Sequence, residues 1–175
     1  NRLQSNFSAD QFMPTAPGAK ALQALYIAEN PNPSGSKQNL TAASDGSAYS
    51  NVHAKYHPML RNVMEKNGWR DLYIVDTLAD HIIYSVSKRA DFGTSLEDGP
   101  FKDTGLAKAY RMAKTAQQGS VVMVDFESYV PAYGAQALFM ATPIYIEGSM
   151  EGVIVIQIPN DEINRVMTSE KQWSN

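Results

Sequence analysis

The chain has 175 residues, 43% of them hydrophobic and 19% charged, with a formal net charge of −3. That length supports one domain with a substantial core and little room for a second, and weak acidity without a long basic run argues against nucleic acid as a partner. The absence of cysteine excludes disulfides, thiolate catalysis and cysteine-ligated zinc.

Asn1 to Phe12 has no apolar signal-peptide core, and no apolar stretch approaches the ~20 residues needed to span a bilayer. Beginning without Met, the chain reads as a fragment of a longer protein, as a receptor trimmed of its membrane spans would. Residues 19–30 have helical spacing through Leu22, Leu25 and Tyr26, and the run from Asn30 through Pro31 and Pro33 to Gly35 stops the helix. A polar loop leads to a second helix over residues 50–67, whose apolar stripe is Val52, Tyr56, Leu60, Val63 and Met64. Gly68 ends it, and Pro58 implies a kink or a restart.

The period then changes from helical to alternating. Residues 71–76 and 81–88 read as two strands of a hairpin turned at residues 77–80. Residues 89–103 are irregular, with Gly93, Gly99 and Pro100. A third helix over residues 104–117 turns Leu106, Ala109, Tyr110 and Ala113 inward. Strands follow over residues 120–125, 137–146 and 152–158, the last two joined by a tight turn at Glu147, Gly148 and Ser149. Asn160 caps a closing helix whose first turn is acidic through Asp161 and Glu162. Hairpins on both sides of a helical crossover give an α+β fold with a five-stranded antiparallel sheet. Helices 19–30 and 50–67 are expected together on one face of it.

Most short motifs fail on context. His53 and His57 have the spacing of a zinc-protease pair, but Ala54 stands where the glutamate base belongs, so packing or capping roles fit better and no metal is expected. Asp91-Phe92-Gly93 matches the kinase magnesium triplet without a phosphate loop, and Ser85 to Lys88 matches a penicillin-binding nucleophile motif on a strand instead of a helix. Nothing calls for a cofactor or a catalytic residue. What remains is a set of polar and aromatic residues near strand ends. Tyr84 and Lys88 share a strand face by parity, Asp125 ends the third strand, Tyr129 and Tyr133 follow in an aromatic loop, and Phe139 opens the next strand. Aromatic walls with one cation and one anion suit a small polar ligand, Lys88 meeting a carboxylate and Asp125 an amine or hydroxyl. With Phe92, these seven are the candidate ligand-binding residues, placed between the sheet and residues 89–103. Lys88 could instead pair with Asp91.

Several segments in order resemble the Cache-type, PAS-like sensor domains of bacterial methyl-accepting chemotaxis proteins: Asp71 to Asp76, Ile83 to Lys88, Asp91 to Leu96, Gly99 to Asp103, Asp125-Phe126 with Tyr129-Val130-Pro131, Phe139 to Pro143 and Gly152 to Pro159. Upstream, Leu25 to Pro31 and His53 to Pro58 resemble the helical lead-in of those receptors, so the resemblance covers about residues 20–168. It implies a single Cache domain: residues 1–69 as lead-in, 70–168 as sheet domain and 169–175 as a tail toward a membrane span. It further implies a periplasmic position, a membrane-spanning parent that dimerises, and a pocket roofed by the segment between the second and third strands. One departure is the first hairpin turn, where relatives tend to have glycine and this chain has Leu78-Ala79-Asp80. The expected ligand is a short carboxylate, with an amino acid as second choice. The output is a chemotaxis signal or, alternatively, that of a histidine kinase or cyclase. A periplasmic enzyme using Asp125 or the histidine pair, and a module that senses through a partner protein, are the competing readings.

Overall fold

The computed structural model describes residues 13–160. Helix α1, Pro17–Gln23, starts on a proline whose missing N–H costs nothing at a first turn. It widens into a π-helical turn at Ala24–Ala28. Its anchor is polar as well as apolar: Gln23 is buried and donates to the carbonyls of Ala90 (3.1 Å) and Phe92 (2.7 Å). The loop that follows holds a short 3-10 turn at Lys37–Asn39, which the sequence reading left irregular.

Helix α2, Ala48–Lys66, is capped by Ser47, whose side chain accepts from the Ser50 N–H at 3.1 Å, and it runs unbroken through Pro58. The expected apolar stripe is largely overturned. Val52 and Tyr56 are 57% and 45% exposed, and the buried residues are Ser50, His53, His57 and Met64. Two hydrogen-bonded histidines therefore occupy inward positions where an apolar count expects aliphatics.

Strands β1, Asp71–Asp76, and β2, Ile82–Ser85, form the first hairpin. The Asp76 carboxylate organises its turn, accepting from the N–H groups of Leu78, Ala79 and His81. Strand β2 ends three residues short of the expected Lys88. The buried Asp71 carboxylate takes the N–H groups of Val86 and Ser87, each at 3.0 Å, and Lys88 turns to a left-handed φ of 53°. Residues 89–103 then fold back on the sheet through the buried Phe92, Leu96 and Phe101. Gly99 is required there, since a Cβ would lie 2.2 Å from the Ser95 carbonyl oxygen.

Helix α3, Gly105–Lys114, is capped by Thr104 and buries Leu106, Ala109, Tyr110 and Ala113 as its spacing predicts. Strand β3, Val122–Tyr129, outruns its expected end by four residues, with an irregularity between Val124 and Glu127. Tyr129 therefore sits on the strand and not in a loop. Strands β4, Ala135–Ile146, and β5, Ser149–Pro159, close the sheet around a two-residue turn in which Glu147 and Gly148 both have positive φ. The expected helix after Asn160 lies outside the described residues.

The sheet is antiparallel throughout, in the order β2-β1-β5-β4-β3. One face carries Tyr73, Val75, Phe139, Val153 and Val155 against α3, residues 89–103 and Tyr26. The other packs Leu72, Ile74, Tyr84, Ile154 and Ile156 against Leu60 and Met64 of α2. The two N-terminal helical segments are thus divided between the faces, contrary to expectation. They meet around edge strand β2, where Tyr26 bonds Ser50 at 2.8 Å. Covering an edge with helix is one way a sheet avoids unwanted pairing.

Candidate ligand site

A cleft of about 850 Å³ opens at one end of the sheet. Its walls come from the loop holding Ser34 to Gln38, the end of α2 with Gly68 and Trp69, Arg70 before β1, Ser87 to Ala90 after β2, and Val130 to Tyr133 between β3 and β4. Lys37, Arg70, Lys88 and Arg89 line it, with no Asp or Glu. In a chain of net charge −3, this gathers basic side chains on one concave surface, with the Asp71 carboxylate 3.6 Å behind Arg89. Met64, Trp69, Phe101 and Pro131 supply apolar wall.

Behind Arg89 lies a buried polar network. Arg89 donates to Gln157 Oε1 at 3.0 Å and stands 3.6 Å from the Asp71 carboxylate. Tyr73 donates to the same Gln157 oxygen at 3.3 Å. The Tyr129 hydroxyl donates to Asp91 Oδ2, while Asp91 Oδ1 is buried without a partner. Burial, reinforced by the charge of Asp71, pushes the Asp91 carboxyl up to about 6.

Beyond Lys88, toward edge strand β2, is an aromatic box. The Lys88 ammonium lies 4.4 Å from the Tyr84 ring centroid, 5.2 Å from Phe92 and 5.6 Å from Tyr26. It donates to the Ser85 carbonyl. His53 and His57 stack at 4.3 Å beside it. His57 is held by the Tyr84 hydroxyl and the Gln38 carbonyl, both at 2.7 Å, and His53 by the Thr41 carbonyl at 2.6 Å. Burial holds the His53 imidazole down to about 3 and His57 to about 4, and it pushes the Lys88 amine down to about 7.

The seven candidate residues fall into distinct places. Tyr84, Lys88 and Phe92 meet in the box, although Lys88 gets there through its left-handed turn and not by strand parity. Lys88 does not pair with Asp91, whose bonded oxygen is taken by Tyr129. Tyr129 and Phe139 meet edge to face at 5.0 Å on the α3 side of the sheet. Tyr133 is 87% exposed at the cleft rim, its hydroxyl 2.9 Å from Ser34 Oγ. Asp125 is exposed on β3, and its carboxylate accepts from the N–H of Phe126. Of the seven, Lys88 and Tyr133 line the cleft. The sequence reading missed Arg89, Asp71 and Gln157 as a connected group. Gln157 carried a signal, as the one polar side chain in the apolar run from Val153 to Ile158.

No family model matches the chain, and no curated protein does. Solved structures match its fold. The sensor domain of the histidine kinase DctB of V. cholerae is 16% identical, with a TM-score of 0.52 over 87% of this chain and 58% of that one. The ligand-binding domain of the chemoreceptor CtaA of Pseudomonas fluorescens, in complex with L-serine, is 15% identical, with a TM-score of 0.49 over 87% of this chain and 53% of that one. The amino acid chemoreceptor PctC of Pseudomonas aeruginosa, in complex with GABA, gives 13% identity and a TM-score of 0.47, covering 87% and 61%. The chain spans less than two thirds of each of these proteins. Its fold is that of the DctB sensor domain.

Proposed function

We propose that this chain is the periplasmic ligand-sensing domain of a bacterial inner-membrane receptor, and that it binds a small organic anion in the cleft at the end of the sheet. The observation that carries the reading is the lining of the cleft, which includes Lys37, Arg70, Lys88 and Arg89 and no Asp or Glu. A short carboxylate is a natural partner for basic side chains in such a wall, and the apolar residues beside them suit a short carbon chain. Residues 169–175 then lead toward a membrane span, and two copies associate in the parent. A chemotaxis signal is the favoured output and a kinase or cyclase the alternative. Sensing, not catalysis, is the role. An amino acid is the second ligand class: the unpartnered Asp91 Oδ1 is an acceptor for an ammonium group if that side chain rotates toward Arg89 and the cleft.

A thermal-shift panel of short mono- and dicarboxylates, amino acids and amines tests this. A ligand at 100 times its Kd stabilises the folded state by about 2.7 kcal/mol, which raises Tm by several degrees. Carboxylates, with or without an amine, are expected to do so and simple amines are not. Stabilisation by amines alone would overturn the anion reading.

A further inference from the structure

The cleft of about 850 Å³ lies toward the upper end of the ~300–1,000 Å³ range of small-molecule pockets. A short organic anion fills a small part of such a volume, so the walls alone do not select it by size. Selection by size then belongs to the entrance. At the rim, one side-chain bond joins two of the walls: the Tyr133 hydroxyl lies 2.9 Å from Ser34 Oγ. The two residues are 99 positions apart, one on the loop before α2 and the other between β3 and β4, and both line the cleft.

Each of these arms has a fixed root and an exposed tip. Pro131 and Ala132 are buried, and the Tyr133 N–H donates to the Val130 carbonyl at 2.9 Å, whereas Tyr133 itself is 87% exposed. On the other arm, Lys37 Nζ donates to the Ile27 carbonyl at 2.6 Å and the Gln38 carbonyl accepts from His57 Nε2 at 2.7 Å, whereas Ser34 and Gly35 are exposed. Little packing holds the Tyr133 ring at the rim, so its place is set by the backbone. Tyr133 and Gly134 are successive residues of positive φ, 57° and 77°. The first is unfavourable for a residue with a Cβ, and strain of this kind collects at ligand clamps and switch segments. Gly35, beside Ser34, also has a positive φ of 87°, with nothing within 4 Å of where a Cβ would stand. The Ser34 tip is therefore unconfined.

We propose that the Tyr133–Ser34 bond is a strap across the mouth of the cleft, and that Tyr133 is thereby a specificity-determining residue. Small molecules pass with the strap closed, and larger ones enter or leave only when it opens. A hydrogen bond between two exposed hydroxyls competes with water and shifts an equilibrium only about fivefold. That is weak enough to open unaided and strong enough to keep the two walls joined most of the time. The inference rests on the reading of the cleft as a ligand site, but opening of the strap is measurable without a ligand.

The chain has no cysteine, so Ser87→Cys on the half-buried cleft wall reports access from solvent. Ala90→Cys, exposed on the same wall, is the second reporter should Ser87→Cys not fold. Leu78→Cys, 98% exposed in the first hairpin turn, is the reference. Rates of modification are measured with a small methanethiosulfonate and with a bulky biotinylated one. Tyr133→Phe keeps the ring and removes the hydroxyl. It is expected to raise the bulky rate at the cleft reporter about fivefold, the worth of one such bond, and to leave the small rate and both reference rates unchanged. Ser34→Ala should do the same, and the two together no more, because they break a single bond. An unchanged bulky rate in both single variants would overturn the strap, and so would a double variant whose effect is the product of the two. The charge of the cleft is read separately, with sulfonate- and ammonium-bearing thiosulfonates of equal size. The sulfonate is expected to be favoured at the cleft reporter relative to Leu78→Cys. Equal rates there would count against the anion reading while the strap result stood.

Discussion

Lys88 carries an unfavourable position that packing alone does not explain. It has a left-handed backbone, is 2% exposed and makes no ion pair among the described residues. Burying an ammonium without a carboxylate partner is unfavourable. Lys88→Met should therefore fold and be at least as stable at neutral pH, measured by urea denaturation, while losing affinity for the anion. A loss of stability would mean that the Ser85 carbonyl and the three rings hold the ammonium at a net gain. The sequence made Lys88 a candidate through parity on a strand, and that step failed. Asp71, 17 positions upstream, takes the backbone N–H groups that would have continued β2. A pairing over that separation leaves no periodic mark. The proximity of Tyr84, Lys88 and Phe92 was legible because all three lie in one short stretch. Gln157 and Arg89 join only through the order β2-β1-β5, which no local pattern encodes.

Helix α2 shows the same limit at the scale of an element. Its presence and its end were readable from the apolar count and Gly68, but its inward face was not, because His53 and His57 fill it through hydrogen bonds to Thr41, Gln38 and Tyr84. These bonds make the α2 contact pH-dependent. Unfolded histidine titrates near 6.5, whereas the folded values are about 3 and 4, lowered by burial and by the charges of Lys88 and Arg61. Below pH ~6.5 the unfolded chain takes up protons that the folded chain refuses, so stability is full above that pH and declines beneath it. Between pH ~7 and ~5 each histidine costs about 2 kcal/mol. Asp91 opposes them: its carboxyl, raised to about 6, gains a proton first in the folded state and returns about 1 kcal/mol. A net loss of about 3 kcal/mol is expected across that interval, measured as the fall in urea midpoint. His53→Gln should remove about two thirds of the slope, whatever it does to absolute stability. A flat profile in the wild type would show that both imidazoles charge inside the fold.

For the whole molecule, the five strands, the two hairpins and the helical crossover were legible, because alternation, turn chemistry and caps agree along the chain. The assignment of helices to faces was not, since an amphipathic helix states that it has a buried side and not which surface buries it. The residues of α2 that were expected inside remain as a further pattern. Val52, Tyr56, Met59 and Val63 are 57%, 45%, 56% and 37% exposed, at successive spacings of four, three and four. That is the seam of a two-stranded coiled coil, and it lies to one side of the face that packs on β1. If two copies of the parent receptor associate, this seam is the surface that α2 offers. The chain has no cysteine, so in a full-length protein cleared of any cysteine outside it, single introduced cysteines report contacts without background. In the full-length protein in membranes, Val52→Cys, Met59→Cys and Val63→Cys should crosslink on mild oxidation. Ala54→Cys and Glu65→Cys, exposed on the other flank of the helix, should not. Crosslinking at all five positions alike would indicate collision in place of an interface, and crosslinking confined to Ala54→Cys and Glu65→Cys would move the interface to the opposite flank.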